Sequence, residues 1–149
     1  CLAIQLDTLG PSHPDVASTY HSMASVFQAQ GQYDQAMASY EKCLAIELDT
    51  LGPGHPHVAS TYHSMATVLT AQGRYDRAMD LYENCLAIEL DTLGPGHPDV
   101  ASTYHSMASV LQAQGQYLRA TALYEQCLAI RLGILGPDHP DVASTYHSM

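Results

Sequence analysis

A 42-residue period constrains this chain more than any other feature. Residues 13–54, 55–96 and 97–138 are three versions of one sequence, the middle one reading HPHVASTYHSMATVLTAQGRYDRAMDLYENCLAIELDTLGPG. Cys1, Cys43, Cys85 and Cys127 mark the same place in successive copies. A fixed period between about 20 and 50 residues is the signature of a stacked array, in which each unit buries its apolar face only against its neighbours. Residues 1–12 read as the end of an earlier unit and residues 139–149 as the start of a later one.

Within a unit the apolar residues fall at helical spacing. Val16, Tyr20, Met23, Ala24 and Phe27 form one stripe, which predicts a helix A from Pro14 to Ala29. Pro14 suits a first helical turn, where a missing N–H costs nothing, and Asp15 complements the positive end of the helix. Gly31 ends helix A. A helix B then runs from Tyr33 to Leu51, with Ala36, Tyr40, Cys43, Leu44, Leu48 and Leu51 expected towards the core, and Gly52-Pro53 closes it. Nothing alternates with a period of two. The fold class is therefore all-α, an array of antiparallel helical hairpins joined by Leu-Gly-Pro-x-His-Pro linkers.

Both ends fall inside a hairpin, so the chain reads as a piece of a longer array with complementary ends. End-to-end stacking or segment exchange between copies is the expectation, a head-to-tail contact that propagates.

The balance of 15 Asp and Glu against 5 Lys and Arg, net −10, repels phosphate backbones and anionic membrane surfaces. No apolar run approaches the ~20 residues that cross a bilayer. Neighbouring hairpins lie roughly 10 Å apart, too far for a disulfide, which needs Cα atoms within about 7 Å. Free thiols follow, and with them a reducing, intracellular address in the cytoplasm. Cys1 is the exception, expected to carry an exposed thiol.

No catalytic chemistry has a foothold. Ser and His are abundant, but no triad spacing, nucleophile elbow or phosphate-binding glycine loop occurs. The carboxylates of helix B, Glu41, Glu47 and Asp49 among them, read as a solvated outer face. His21, His63, His105 and His147 would form a column along one face, charging together near pH 6 to 6.5 if exposed; a row of solvated polar residues copied by duplication is the favoured reading of them. Ligands on successive repeats are too far apart to share a metal ion at ~2 Å bond lengths, and His55-Pro56-His57 reads as a point change from the HPD of the other units. No metal or cofactor is implied. His13, His55, His97 and His139 precede a helix-starting proline and read as caps or packing groups of the turn. The third unit departs from its copies in helix B, with Arg131, Gly133 and Ile134 where the first has Glu47, Asp49 and Thr50; a glycine near a helix end lowers helix propensity, so this unit is expected to be the frayed end of the natural array.

The pattern Tyr20–Met23–Ala24–Phe27–Gly31–Tyr33–Ala36–Tyr40 resembles the tetratricopeptide repeat, whose usual period is about 34. With eight extra residues and Leu-Gly-Pro-x-His-Pro-x-Val-Ala before helix A, the unit is similar to the kinesin-light-chain type of this repeat. The resemblance implies a right-handed superhelical solenoid, with helices A lining a concave groove that holds a partner peptide and helices B outside. Carried over by position, the groove wall is Ser18, His21, Ser22, Ser25 and Gln28 in the first unit. It continues as Ser60, His63, Ser64, Thr67 and Thr70 in the second, and as Ser102, His105, Ser106, Ser109 and Gln112 in the third.

The sequence departs from that pattern where the ligand would sit. His-Ser replaces the Asn pair typical of kinesin light chains, and no Lys or Arg falls on helix A to capture an acidic peptide. The leading expectation is a protein–protein interaction scaffold for a neutral or basic peptide. The alternative is a spacer or sensor arm of a larger signalling protein, with no ligand of its own.

Overall fold

A computed structural model describes residues 2–149 as eight helices, with no strand among the described residues. The helices are α1 (Leu2–Leu9), α2 (Pro14–Ala29), α3 (Tyr33–Thr50), α4 (Pro56–Ala71), α5 (Tyr75–Thr92), α6 (Pro98–Ala113), α7 (Tyr117–Leu135) and α8 (Pro140–Ser148). Helices A are α2, α4 and α6; helices B are α3, α5 and α7. Cys1, with its expected exposed thiol, lies outside the described residues.

Local chemistry sets each boundary. The linker histidine is the N-cap of the next helix A: His13 Nδ1 accepts from the Asp15 N–H at 3.2 Å, and His55, His97 and His139 repeat the bond. Each imidazole thus takes one of the orphan donors that begin a helix. At the other end, Gly31 sits at φ +74. There Gln32 N–H reaches back to Phe27 O at 2.8 Å and Gly31 N–H to Gln28 O at 3.0 Å. That pair of bonds is the Schellman closure, which needs a left-handed residue.

The core follows from stacking. Ala24 of α2 and Ala36 and Tyr40 of α3 are buried together with Met65 and Val68 of α4, and the next cluster joins α4, α5 and α6 in the same way through Ala66, Tyr82 and Val110. Each cluster needs the helix A of the following repeat. Val68 and Val110 are fully buried because a preceding hairpin covers them, whereas Val26, preceded only by α1, is exposed.

Several packing expectations need correction. Leu48 and Leu51 are exposed, because in the last turn of helix B it is Glu47 that meets the next helix A. Tyr20 is only half-buried, with Lys42 Nζ 5.4 Å from its ring centroid. Helix α7 continues through Gly133 to Leu135, one residue longer than α3 and α5.

Candidate partner-binding face

The groove residues carried over by position do not share one environment. Ser18, Ser22, Ser60 and Ser102 are exposed, and Ser64 and Ser106 are half-buried. The hydroxyls of Ser22, Ser64 and Ser106 donate to the carbonyl four residues back at 3.0 Å, leaving lone pairs for another donor. Further along the helices the polar groups turn inward. Tyr40 OH lies 3.2 Å from Ser25 Oγ and donates to Gln28 Oε1 at 3.2 Å; Tyr124 does the same with Ser109 and Gln112. Tyr82 OH meets Thr67 at 3.2 Å, while Thr70 bonds the Ala66 carbonyl. These serve the buried tyrosines, whose hydroxyls need a partner once desolvated.

The histidines are not a solvated column. His21, His63 and His105 pack edge-on against Tyr40, Tyr82 and Tyr124, with centroids 5.1–5.2 Å apart. They also bridge repeats: His21 Nε2 lies 3.5 Å from Ser64 Oγ, His63 Nδ1 lies 3.3 Å from Thr103 Oγ1, and His105 Nε2 lies 3.3 Å from Ser148 Oγ. Burial pushes His63 and His105 below the usual imidazole range. Asp99 opposes this at His63, whereas Arg131 reinforces it at His105. At His63 and His105 the packing therefore favours the neutral ring.

Sequence reasoning missed the polar contact between repeats. Thr61 and Thr103 are fully buried, and each donates to the last-turn glutamate of the preceding helix B: Thr61 to Glu47 Oε2 at 2.7 Å, Thr103 to Glu89 Oε2 at 2.8 Å. Both glutamates are only 7% exposed, which corrects their assignment to a solvated outer face. Cys43 and Cys85 complete the group with Sγ 3.7 Å from the threonine hydroxyl. Burial first, then the neighbouring glutamate charge, pushes each thiol up to about 12. Burial also raises the Glu89 carboxyl; Asp99 adds to the rise, while Thr103, Cys85 and His97 oppose it. In the third repeat, Arg131 takes the glutamate's place and reverses the polarity. Its Nη1 donates to Thr145 Oγ1 at 2.8 Å and to the Asp141 carbonyl at 3.0 Å. One signal was available in the sequence: Thr19, Thr61, Thr103 and Thr145 keep the same place in every unit, on the stripe side of Tyr20 and its copies.

Above these contacts, successive helices A diverge and leave clefts. One, of about 270 Å³, is bounded by Ser18, His21 and Ser22 of α2, Glu47 of α3, and His57 and Ser60 of α4. The next, also about 270 Å³, has the same geometry one repeat on, with Ser60, His63 and Ser64 of α4, Glu89 of α5, and Asp99 and Ser102 of α6. These two clefts are polar, and each is floored by a buried acid.

Hairpins stacked in register, with polar clefts between successive helices A, define an α-solenoid. The chain belongs to the tetratricopeptide repeat family, whose model matches residues 1–49, 15–91, 57–132 and 99–149. Among solved structures, it is similar to nearly identical TPR-like repeats described as kinesin light chain from Podosopora anserina: 34% identity over 99% of this chain and 70% of that one, TM-score 0.82. BtubC (BKLC) from P. vanneervenii shares the fold at 24% identity and TM-score 0.84, over 91% of this chain and 55% of its own. The N-terminal domain of stress-induced protein-1 from C. elegans shares it at 13% identity and TM-score 0.68, over 91% and 95%. No curated protein matches the chain. The right-handed superhelix and the kinesin-light-chain-like character expected from the sequence are thus established. Tetratricopeptide repeats generally mediate protein–protein interactions, and proteins built from them are generally non-catalytic scaffolds. No helix among the described residues is long and apolar enough to cross a membrane.

Proposed function

We propose that the chain is an interaction scaffold inside the cell, and that a partner peptide or protein lies in the concave groove along helices A. The observation that carries this reading is the repeated cleft, with exposed serines at its rim and a desolvated carboxylate at its floor. A surface built only to space two domains has no use for buried acids opening into successive hollows. Ser18, Ser22, Ser60, Ser64, Ser102 and Ser106 are the hydroxyls nearest a bound segment, while His21, His63 and His105 act from the walls.

The spacer reading draws support from the polar groups already used internally, Ser25, Gln28, Ser109 and Gln112 among them. Capture from an extract of the source cells separates the two, with the native array beside a Ser60→Arg, Ser102→Arg copy whose fold is checked by circular dichroism. Both positions are exposed, so the copy keeps its core. A partner held by the native array and lost from the copy supports the groove; an identical catch from both, or none, leaves the spacer. Self-association of this chain end to end, favoured by exposed Tyr146 and Met149, is read separately by light scattering across protein concentration.

A further inference from the structure

The clefts are alike in shape and unlike in charge. The first sets Glu47 against His57, and the second sets Glu89 against Asp99. The third junction sets Arg131 beside Asp141. Of these three the second alone carries two acidic side chains, and burial holds the one imidazole in its wall, His63, below the usual range. Glu89 is more than nine-tenths buried, and its Oε2 is held by Thr103. Apart from Thr103 the carboxylate has only the weak Cys85 thiol donor beside it, and the side chain borders the open cleft. The field of Asp99 reaches both Glu89 and His63 across it. A buried carboxylate without a compensating cation is costly, and a positive group entering the cleft removes that cost.

We propose that the cleft over Glu89 is a socket for one cationic side chain, arginine or lysine, of the segment that lies in the groove. The proposal rests on the groove reading and deepens it. Three features fix the class of occupant. The volume of about 270 Å³ falls below the roughly 300 Å³ at which small-molecule sites begin, so it suits a single side chain. No group of three or more His, Cys, Asp or Glu among the described residues is arranged to hold a metal ion. Finally, one repeat on, Arg131 stands in the place of Glu89, with its Nη1 donating to Thr145 Oγ1 and to the Asp141 carbonyl, so that junction carries its own cation and the second does not. In the second cleft the acceptors become Glu89, Asp99 and the hydroxyls of Ser60, Ser64 and Ser102, and the cation must come from outside.

The test uses the whole chain and two probes of equal shape, acetyl-Gly-Arg-Gly-amide and the same peptide with neutral citrulline in place of arginine. Binding is followed by NMR shift changes in the α4–α5–α6 region. The arginine peptide is expected to bind with millimolar affinity and the citrulline peptide at least five-fold more weakly. Glu89→Gln keeps an acceptor for Thr103, so the fold is preserved, and arginine binding should fall at least five-fold; Asp99→Asn, at an exposed position, should weaken it in the same direction. His57→Asp converts the first cleft to the charge of the second, and a new set of shifts should appear around Ser18 and Ser60. Equal binding of the two probes, or shifts unchanged by Glu89→Gln, would overturn the socket, as would the absence of new shifts in His57→Asp. Those results leave the groove standing if the native array still captures a partner that the Ser60→Arg, Ser102→Arg copy loses.

Discussion

Replacing Thr103 by valine exchanges one hydroxyl for one methyl at a fully buried position, so shape is kept and chemistry removed. The hydroxyl donates to Glu89 Oε2 at 2.8 Å and lies 3.3 Å from His63 Nδ1. Stranding a buried acceptor costs about 1–3 kcal/mol, with the upper half expected for a carboxylate. A loss of about 2 kcal/mol in a chain of this length lowers Tm by roughly 4–8 °C. Because the contact joins α5 to α6, the loss weakens coupling between repeats, and the transition should broaden as well as shift. The assay is thermal and urea unfolding followed by circular dichroism, run as a double-mutant cycle with Glu89→Met. In the Glu89→Met background no carboxylate is left to strand, so Thr103→Val should cost only about 0.5 kcal/mol, the remaining effect of the His63 contact. The coupling between the two positions is then about 1.5 kcal/mol, within the range for contacting residues. Equal costs in the two backgrounds would refute the claim that the hydroxyl matters through Glu89.

Four further outcomes follow from the structure. Burial raises the Glu89 carboxyl above its ordinary value of 4.5, so its ionisation opposes folding increasingly as pH rises from there through the folded value. The stability of Glu89→Gln relative to the native chain should therefore grow between pH 4 and pH 8, read by urea unfolding; a difference that shrinks with pH contradicts the assignment. His63 works in the opposite window: its lowered value gives stability that is present above about 6.5 and lost as pH falls below it. Cys43 and Cys85, buried and raised to about 12, should react with iodoacetamide at least 100-fold more slowly in the native chain than in urea, followed by mass spectrometry. Gly73→Ala meets open space but a backbone at φ +72, so it should destabilise by about 1 kcal/mol through conformation alone.

What the sequence made legible was whatever repeats with a helical period. Val16, Ala24, Ala36 and Tyr40 lie in the core, and the glycine turns fall where left-handed backbone is required. The linker histidines were readable as caps because a proline follows each one. What escaped was set by the angle between neighbouring units, which no single unit's pattern contains. Glu47 and Glu89 look like surface residues on their own helix, and only the next helix A buries them. Thr61 and Thr103 look like helix filler until the carboxylate opposite is in place. Some of the expected groove residues have a second set of contacts for a related reason. Ser25, Thr67 and Ser109 do sit on the helix face away from the apolar stripe, yet the hydroxyls of Tyr40, Tyr82 and Tyr124 reach across from helix B and take them.

Near-identity between the units makes their few differences informative. A file of identical clefts roughly 10 Å apart would accept an extended partner in several registers, each shifted by about three residues at ~3.3 Å per residue. Nothing in the repeated scaffold of Ala, Tyr, Thr and Cys distinguishes one register from the next. The positions that do vary include 47, 89 and 131 on helix B and 15, 57, 99 and 141 at the start of helix A. They meet at the junctions: Glu47 with His57, Glu89 with Asp99, Arg131 with Asp141. Sliding a partner by one unit moves a basic side chain from a cleft with two acids to one whose charge is offset by a histidine or replaced by an arginine. Like charge set against Arg131 is a repulsive element, and repulsion at wrong registers gives specificity that attraction at the right one cannot give alone. On this reading duplication supplies the scaffold, and charge substitution at the junctions supplies the address.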